Sequence, residues 1–374
     1  MNRVFSLDVV RGMAMAMVLI GHLSVRGFPM YLPEPLASFQ RMSWVSMEVF
    51  FALSGFLVSS LLFKEYSQTG KINFFRFLAR RGLKIYPTYY VVVLCSAAFY
   101  LTRGSFEWGR CLRSVFFLAN YEKSFWPHFW TLSLEEHFYL SFSFLLMLSL
   151  KSARSNFRLL GLVGILLPLS AFAVRNYLLW DAEYASYYRH LNPTHLRWSA
   201  VILGAWLGYF HVFHRETLIR MYRKRAVFVR VAVGVIFFLL SLSPLRTAWV
   251  ARFGLDLSAI AGVCVCWIAL GDAEAFAVRE KWLRVFRFLG KYSYGIYMFH
   301  YPFRVLQMYS EQHYLGGPVH PILNIATYFL VSIGGGYCLT RLVELPVLAW
   351  RDRHVPSHSS AKEVPEIEPQ RLAA

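Results

Sequence analysis

Cysteine is sparse in this chain, with five in 374 residues: Cys95, Cys111, Cys264, Cys266 and Cys338. An odd number, mostly inside apolar stretches, argues against a disulfide framework. Cys264 and Cys266 stand two apart on an expected helix, so they project about 200° from each other and cannot chelate one ion. No Cys/His spacing of the zinc type occurs, and no metal site is expected. Acid is also scarce, with 21 Asp and Glu against 39 Lys and Arg. Long polar segments are missing too. The widest gaps between apolar stretches, near 64–84, 102–133, 214–229 and 272–291, are too short for a separate soluble catalytic domain. Any chemistry must therefore lie among the apolar segments and their loops. No repeat of 20–50 residues stands out, which weakens the case for a transporter built from two matching halves.

What fills the chain instead is hydrocarbon. Hydrophobic residues make up 57% and aromatics 18%, with a mean hydropathy of +0.42. A soluble domain holds nearer 45–50% apolar residues. The excess resolves into about ten stretches able to cross a roughly 30 Å hydrocarbon core. They lie near 7–25, 44–63, 85–101, 134–150, 158–175, 196–213, 228–244, 254–271, 292–309 and 321–342. The expected fold is thus an all-α polytopic bundle over residues 1–350, followed by a disordered cytoplasmic tail at 351–374 that is polar and Pro/Glu-containing. Asp8 and Arg11 interrupt the first apolar run, so a removable signal peptide is not expected.

The net charge of +18 would point to nucleic acid in a soluble protein. With ten spans and an inside N-terminus, however, inward segments hold more than twice as many basic residues as outward ones. The positive-inside rule then accounts for the charge and predicts both termini in the cytoplasm. Membrane lipids and an anionic cofactor are the implied partners, and no nucleic acid is expected.

Ionisable groups inside spans are functional candidates by default. Arg11 and His22 share the first stretch. Eleven residues make almost three turns, placing both on one face about 16 Å apart along the axis. Asp8, three residues before Arg11, can pair with it as a membrane-edge anchor. His300 and Arg304 share a face of the ninth stretch, with Glu48, Glu135 or Glu344 as expected partners across the bundle. Arg76, Arg80, Arg81 and Lys84 form a basic cluster at the cytoplasmic mouth of the third stretch. It reads either as topology and lipid contact or as a dock for several phosphates. Ser133–Glu136 fits a capping box, which explains Glu136 but not Glu135; Tyr139 lies on Glu135's face. Ser54-Gly55 reads as a close helix contact. Trp126, Trp130 and Trp180 read as an interfacial belt.

These residues fall into motifs. Leu7-Asp8-Val9-Val10-Arg11-Gly12 with His22 is one, and Phe50-Phe51-Ala52-Leu53-Ser54-Gly55-Phe56-Leu57 is the next. Arg80-Arg81-Gly82-Leu83-Lys84-Ile85-Tyr86-Pro87 and Trp130-Thr131-Leu132-Ser133-Leu134-Glu135-Glu136-His137-Phe138-Tyr139 follow. Leu289-Gly290-Lys291-Tyr292-Ser293-Tyr294-Gly295-Ile296-Tyr297-Met298-Phe299-His300 and Glu344-Leu345-Pro346 complete the series. In this order, from residue 6 to about 346, they resemble the membrane-bound acyltransferase 3 family. Two positions depart from its pattern: Glu48 stands where aspartate is usual, and Lys84 where arginine is common.

The resemblance implies an O-acyltransferase, most simply an acetyltransferase. It would use acyl-CoA, most simply acetyl-CoA, as donor, with a hydroxyl of a cell-envelope glycan or lipid-linked saccharide as acceptor. His22 would be the general base, with Glu135 and Arg11 beside it as catalytic residues. Arg80, Arg81, Lys84 and Arg11 would hold the donor, and Asp8, Glu48, Tyr139 and His300 the substrate. A small secreted acceptor such as a macrolide or antibiotic sugar is the alternative within the family, and a transporter or flippase the alternative outside it. Some family members carry a hydrolase-like domain; its lack here implies that the bundle completes the reaction or passes its product to a separate partner. A bacterial cytoplasmic membrane is the expected location.

Overall fold

The computed structural model describes residues 5–24, 36–151, 157–182, 184–314 and 320–356. Fourteen α-helices account for most of them. The first seven are α1 (Phe5–Gly21), α2 (Leu36–Met42), α3 (Val45–Thr69), α4 (Phe74–Thr102), α5 (Trp108–Val115), α6 (Phe129–Lys151) and α7 (Arg158–Leu178). Then come α8 (Ser199–Phe213), α9 (Arg215–Ser241), α10 (Leu255–Gly271), α11 (Ala273–Val278), α12 (Glu280–Tyr314), α13 (Pro321–Leu339) and α14 (Leu345–His354). Each apolar stretch marked in the sequence falls mainly on one of these helices, but the first stops short: α1 ends at Gly21, so His22, expected on the helix of Arg11, sits in the turn after it. Among the described residues, five helical segments are long and apolar enough to cross a membrane by length and composition: Val45–Thr69, Phe74–Thr102, Leu159–Leu178, Val250–Gly271 and Pro321–His354. The protein is an all-α, multi-pass membrane protein.

Its centre is α3, apolar on every side and enclosed by α1, α8 and α10. A helix hydrophobic all round belongs either in a core or against lipid, and the bundle holds both kinds. On peripheral α7, Leu162, Ile165, Leu166 and Leu169 face outward, where hydrocarbon is their natural solvent. Two glycine contacts bring central helices together. A Cβ on Gly55 of α3 would collide with the Val201 carbonyl of α8, and one on Gly290 of α12 with the Asp8 carbonyl of α1. Without a hydrophobic drive between helices in lipid, such close backbone approach is a main source of association. The Ser54-Gly55 reading therefore holds for Gly55, while Ser54, about 100° around the helix, turns elsewhere.

The turn between α3 and α4 is built by local chemistry. Gly70 ends α3 with φ of 67° and returns its N–H to Tyr66 O at 2.8 Å. Asn73 then caps α4 by accepting the Arg76 N–H at 2.9 Å. Glu65 reaches across to Arg76 at 2.5 Å. The basic run from Arg76 to Lys84 thus starts from a fixed point.

Several expectations change. α6 begins at Phe129, four residues before Ser133, so Ser133 is no cap; its Oγ donates to the Phe129 carbonyl and accepts the Ala119 N–H. Trp126 and Trp130 leave the interfacial belt. Trp126 is buried with Nε1 donating to Ser96 at 2.6 Å, and Trp130 packs under the Arg197 guanidinium at 4.8 Å; Trp180 is exposed. Arg304 meets none of the three glutamates named for it. Its guanidinium donates to the Leu23 carbonyl and to Asn324 Oδ1 at 2.7 Å. Residues 351–354, assigned to the tail, are the end of α14, and residues 357–374 lie outside the described residues.

Glu48 is 2% exposed and paired with Arg197, 3% exposed, at 2.7 Å. Removing one partner of such a pair strands a buried charge and costs about 3–5 kcal/mol. We therefore expect Glu48→Ala to lower thermal stability sharply and the joint change Glu48→Leu with Arg197→Met to recover most of the loss. Melting curves of the detergent-solubilised variants check this. A Glu48→Ala protein as stable as wild type would remove the pair from the fold's supports.

Candidate functional site

Two neighbouring polar features occupy the interior between α1, α3, α4, α6 and α12. The first is a cavity of about 150 Å³. Arg11 from α1, Arg81 and Lys84 from α4, and Glu135 and Tyr139 from α6 all line it. The sequence reading thus joined residues that do meet, although they lie up to 128 positions apart. Arg11 pairs with Asp8 at 3.6 Å, and Asp8 itself is buried behind it. Lys84 reaches Glu344 at 3.2 Å. A π-helical turn, Thr340–Glu344, joins α13 to α14 and sets that carboxylate in place. Such turns re-aim side chains and recur at functional positions. Arg81 lies over the Tyr139 ring at 4.9 Å, and its buried Nε has no hydrogen-bond partner among the described residues.

Arg80 sits one face round the helix. With Arg76, Arg81, Lys84 and Arg351 it lines an adjoining pocket of about 210 Å³, which shares Arg81 and Lys84 with the first cavity. Arg80 donates to Asp352 at 2.9 Å and to the Val355 carbonyl, so the end of α14 covers it. Five cations and one carboxylate, Glu65, line this pocket, an arrangement suited to an anion with several phosphates.

The second feature is a cluster of histidines. The His22 ring lies 5.0 Å from that of His300 and 5.2 Å from that of Tyr301. His128, from the segment before α6, adds a third imidazole 5.4 Å from His300. His22 Nδ1 is 2.8 Å from the Val18 carbonyl. A carbonyl can only accept, so Nδ1 carries the proton and Nε2 presents a lone pair. The same logic applies to His300, whose Nδ1 donates to Tyr297 O at 2.7 Å. Neither His22 nor His300 lines the basic cavity.

Tyr297 connects the two features. It lines the cavity, while its ring packs 5.3 Å from His128 and 5.4 Å from His300. Its hydroxyl donates to the His128 carbonyl at 2.9 Å and meets Thr131 Oγ1 at 2.7 Å. The sequence reading missed Tyr297 and His128. Tyr297 could have been found, since it stands three residues before His300 and so shares its face. His128 gave no such signal, because it reaches the cluster from a loop. Glu48 falls outside both features, bound to Arg197. Among the described residues no group of His, Cys, Asp and Glu has the geometry of a metal site.

A basic cavity can hold an anionic donor, and a histidine with an available lone pair can remove a proton; Tyr297 touches both features. Comparison with known proteins gives the family. The acyltransferase 3 family profile, an acyltransferase domain, matches residues 4–341. Peptidoglycan O-acetyltransferase OatA of Listeria monocytogenes is 23% identical over 87% of this chain and 53% of its own length. O-acetyltransferase OatA of Staphylococcus aureus is 23% identical over 91% of this chain and 56% of its own. A protein of Bacillus subtilis named as a putative peptidoglycan O-acetyltransferase, YrhL, is 24% identical over 75% and 47%. The chain therefore spans about half the length of these relatives. No solved structure matches it. With the profile covering nearly the whole bundle, the chain belongs to the acyltransferase 3 family.

Proposed function

We propose that this protein is a membrane O-acyltransferase that moves an acyl group, most simply acetyl, from a coenzyme A thioester to a hydroxyl of a cell-envelope glycan or lipid-linked saccharide. One observation carries the reading. Arg11 lies in α1 and His22 in the turn directly after its last residue, Gly21, so that Arg11 lines the basic cavity while His22 joins the histidine cluster. In this reading the cation and the base are the two ends of one reaction path. The relatives' names support a glycan acceptor over a small secreted molecule.

Each residue then has a task. Arg80, Arg81 and Lys84 hold the donor's phosphates, Arg81 through an Nε–H that has no partner among the described residues. Arg11, kept in place by Asp8, meets the donor's charged part deeper in. The acyl group passes up toward Tyr297. The acceptor hydroxyl arrives from the opposite side, and His22 Nε2 takes its proton as the oxygen attacks the acyl carbon. His300 packs against the His22 ring and limits its rotation. Glu135 and Tyr139 shape the cavity wall beside Arg81. The basic charge on the donor's side matches the inward bias of Lys and Arg, which supports a cytoplasmic donor.

His22→Ala is expected to reduce acyl transfer by about 10²–10⁴-fold, the usual contribution of a general base, with the melting temperature little changed. Purified protein and labelled acyl-CoA check this, and full activity would overturn the assignment. Coenzyme A should raise the melting temperature of wild type, and the joint change Arg80→Ala with Arg81→Ala should abolish that rise. Mass spectrometry of envelope glycans from deletion and parent cells should show loss of ester-linked acyl groups. Unchanged glycans would exclude that acceptor.

A further inference from the structure

Buried serines on helices usually donate their proton to a carbonyl one turn back. Ser96, Ser141, Ser143 and Ser149 all do so here, to Val92, His137, Tyr139 and Leu145. Ser54 does not. Its Oγ is 2.6 Å from the Tyr139 hydroxyl, on a different helix, and Tyr139 in turn donates to Glu135 Oε2 at 2.6 Å. A tyrosine has one hydroxyl proton, and the carboxylate accepts it. With the Tyr139 proton directed at the carboxylate, the Ser54–Tyr139 bond runs from Ser54, which also hydrogen-bonds Glu135 directly. The result is a directed chain, serine to tyrosine to carboxylate, with the Arg81 guanidinium 4.9 Å over the tyrosine ring.

All three residues line the basic cavity. The other hydroxyls there are spent on backbone. Ser293 donates to Gly290 O, Tyr294 to Ile85 O, Tyr297 to His128 O, and Thr131 lies within reach of that same carbonyl. Apart from Tyr139 itself, Ser54 is the one hydroxyl lining the cavity among the described residues whose proton lies on a route to a carboxylate. Helix packing does not explain it, because the adjacent Gly55 makes the contact with α8.

We propose that Ser54 is a nucleophile that carries the acyl group as an ester between donor and acceptor. The proposal rests on the acyl-donor reading given above. In the first half, Ser54 Oγ bonds to the thioester carbonyl carbon. The serine proton moves to Tyr139 as the tyrosine proton moves to Glu135. The carbon–sulfur bond then breaks, and the leaving thiolate takes up the relayed proton. Serine ester and free thiol are the products. In the second half the acceptor oxygen attacks that ester, its bond to carbon forms as the Ser54 bond breaks, and one proton passes in net from acceptor to Ser54. Arg81 offsets the negative charge that collects along the chain during both halves.

The test uses the full-length protein with [¹⁴C]acetyl-CoA and no acceptor. The His22→Ala background blocks the second half and should accumulate close to one label per chain, mapped by mass spectrometry to the peptide holding Ser54. Adding Ser54→Ala should lower labelling at least 100-fold while coenzyme A still raises the melting temperature. Ser54→Cys should restore a label that neutral hydroxylamine removes, as expected of a thioester. Tyr139→Phe keeps the ring but cuts the relay, and should slow single-turnover labelling about 10–100-fold with donor affinity unchanged. Wild type should also exchange labelled coenzyme A into acetyl-CoA without acceptor. Label that persists in Ser54→Ala, or stabilisation by coenzyme A with neither label nor exchange, overturns the Ser54 step and leaves the donor reading standing. Absence of any stabilisation by coenzyme A overturns both.

Discussion

Moving an ionised side chain from water into a membrane interior costs several kcal/mol, and the cost is offset only where a partner of fixed geometry waits. The arrangement of this bundle follows from that constraint. Glu48 of α3 is tied to Arg197 ahead of α8, and Arg175 of α7 to Asp256 of α10. Lys84 of α4 is tied to Glu344 beyond α13. Arg304 of α12, fully buried, spends its guanidinium on the Leu23 carbonyl and Asn324. Each bond links helices far apart in sequence and tolerates little sliding, because a slip of one residue would strand a charge.

Glycine contacts work alongside these pairs. Where α3 meets α8, and α1 meets α12, side-chain bulk is removed so that backbones touch. Dispersion between closely approaching surfaces then replaces the hydrophobic effect, which lipid cannot supply between helices. The α1–α12 contact sets Gly290 against Asp8, one turn from Arg11. The same approach therefore brings Arg11 to the cavity and, just past the end of α1, His22 against His300. Helix association and site assembly share one cause.

Much of the fold was legible from composition. Apolar runs announce helices in lipid because every backbone N–H and C=O must be satisfied within its own segment. The positions of the runs therefore survived almost unchanged. Local spacing also served well wherever both partners lie on one helix, as with Asp8 and Arg11 or Glu135 and Tyr139. It failed where the partner comes from elsewhere. Ser133 has the spacing of a cap, yet the helix starts at Phe129, since the preceding segment is folded inward and Trp126 is buried against Ser96. The family resemblance implied a substrate role for Glu48, and local reasoning could not see Arg197, 149 residues away, to which it is bound.

By itself the sequence determined that this is an all-α membrane bundle with a cation on its first helix and a histidine at that helix's end, because hydropathy and helical period are local properties. Family membership was legible too, through six ordered motifs. The tertiary structure alone decided which charges are consumed as fasteners and which line a cavity. It separated Arg80 from Arg81, joined His128 and Tyr297 to His22 and His300, and turned the Ser54 hydroxyl toward Tyr139 and Glu135. The physical reason is that a side chain's role in a low-dielectric interior depends on what lies within about 3 Å of it. Those neighbours come from helices that only folding brings together.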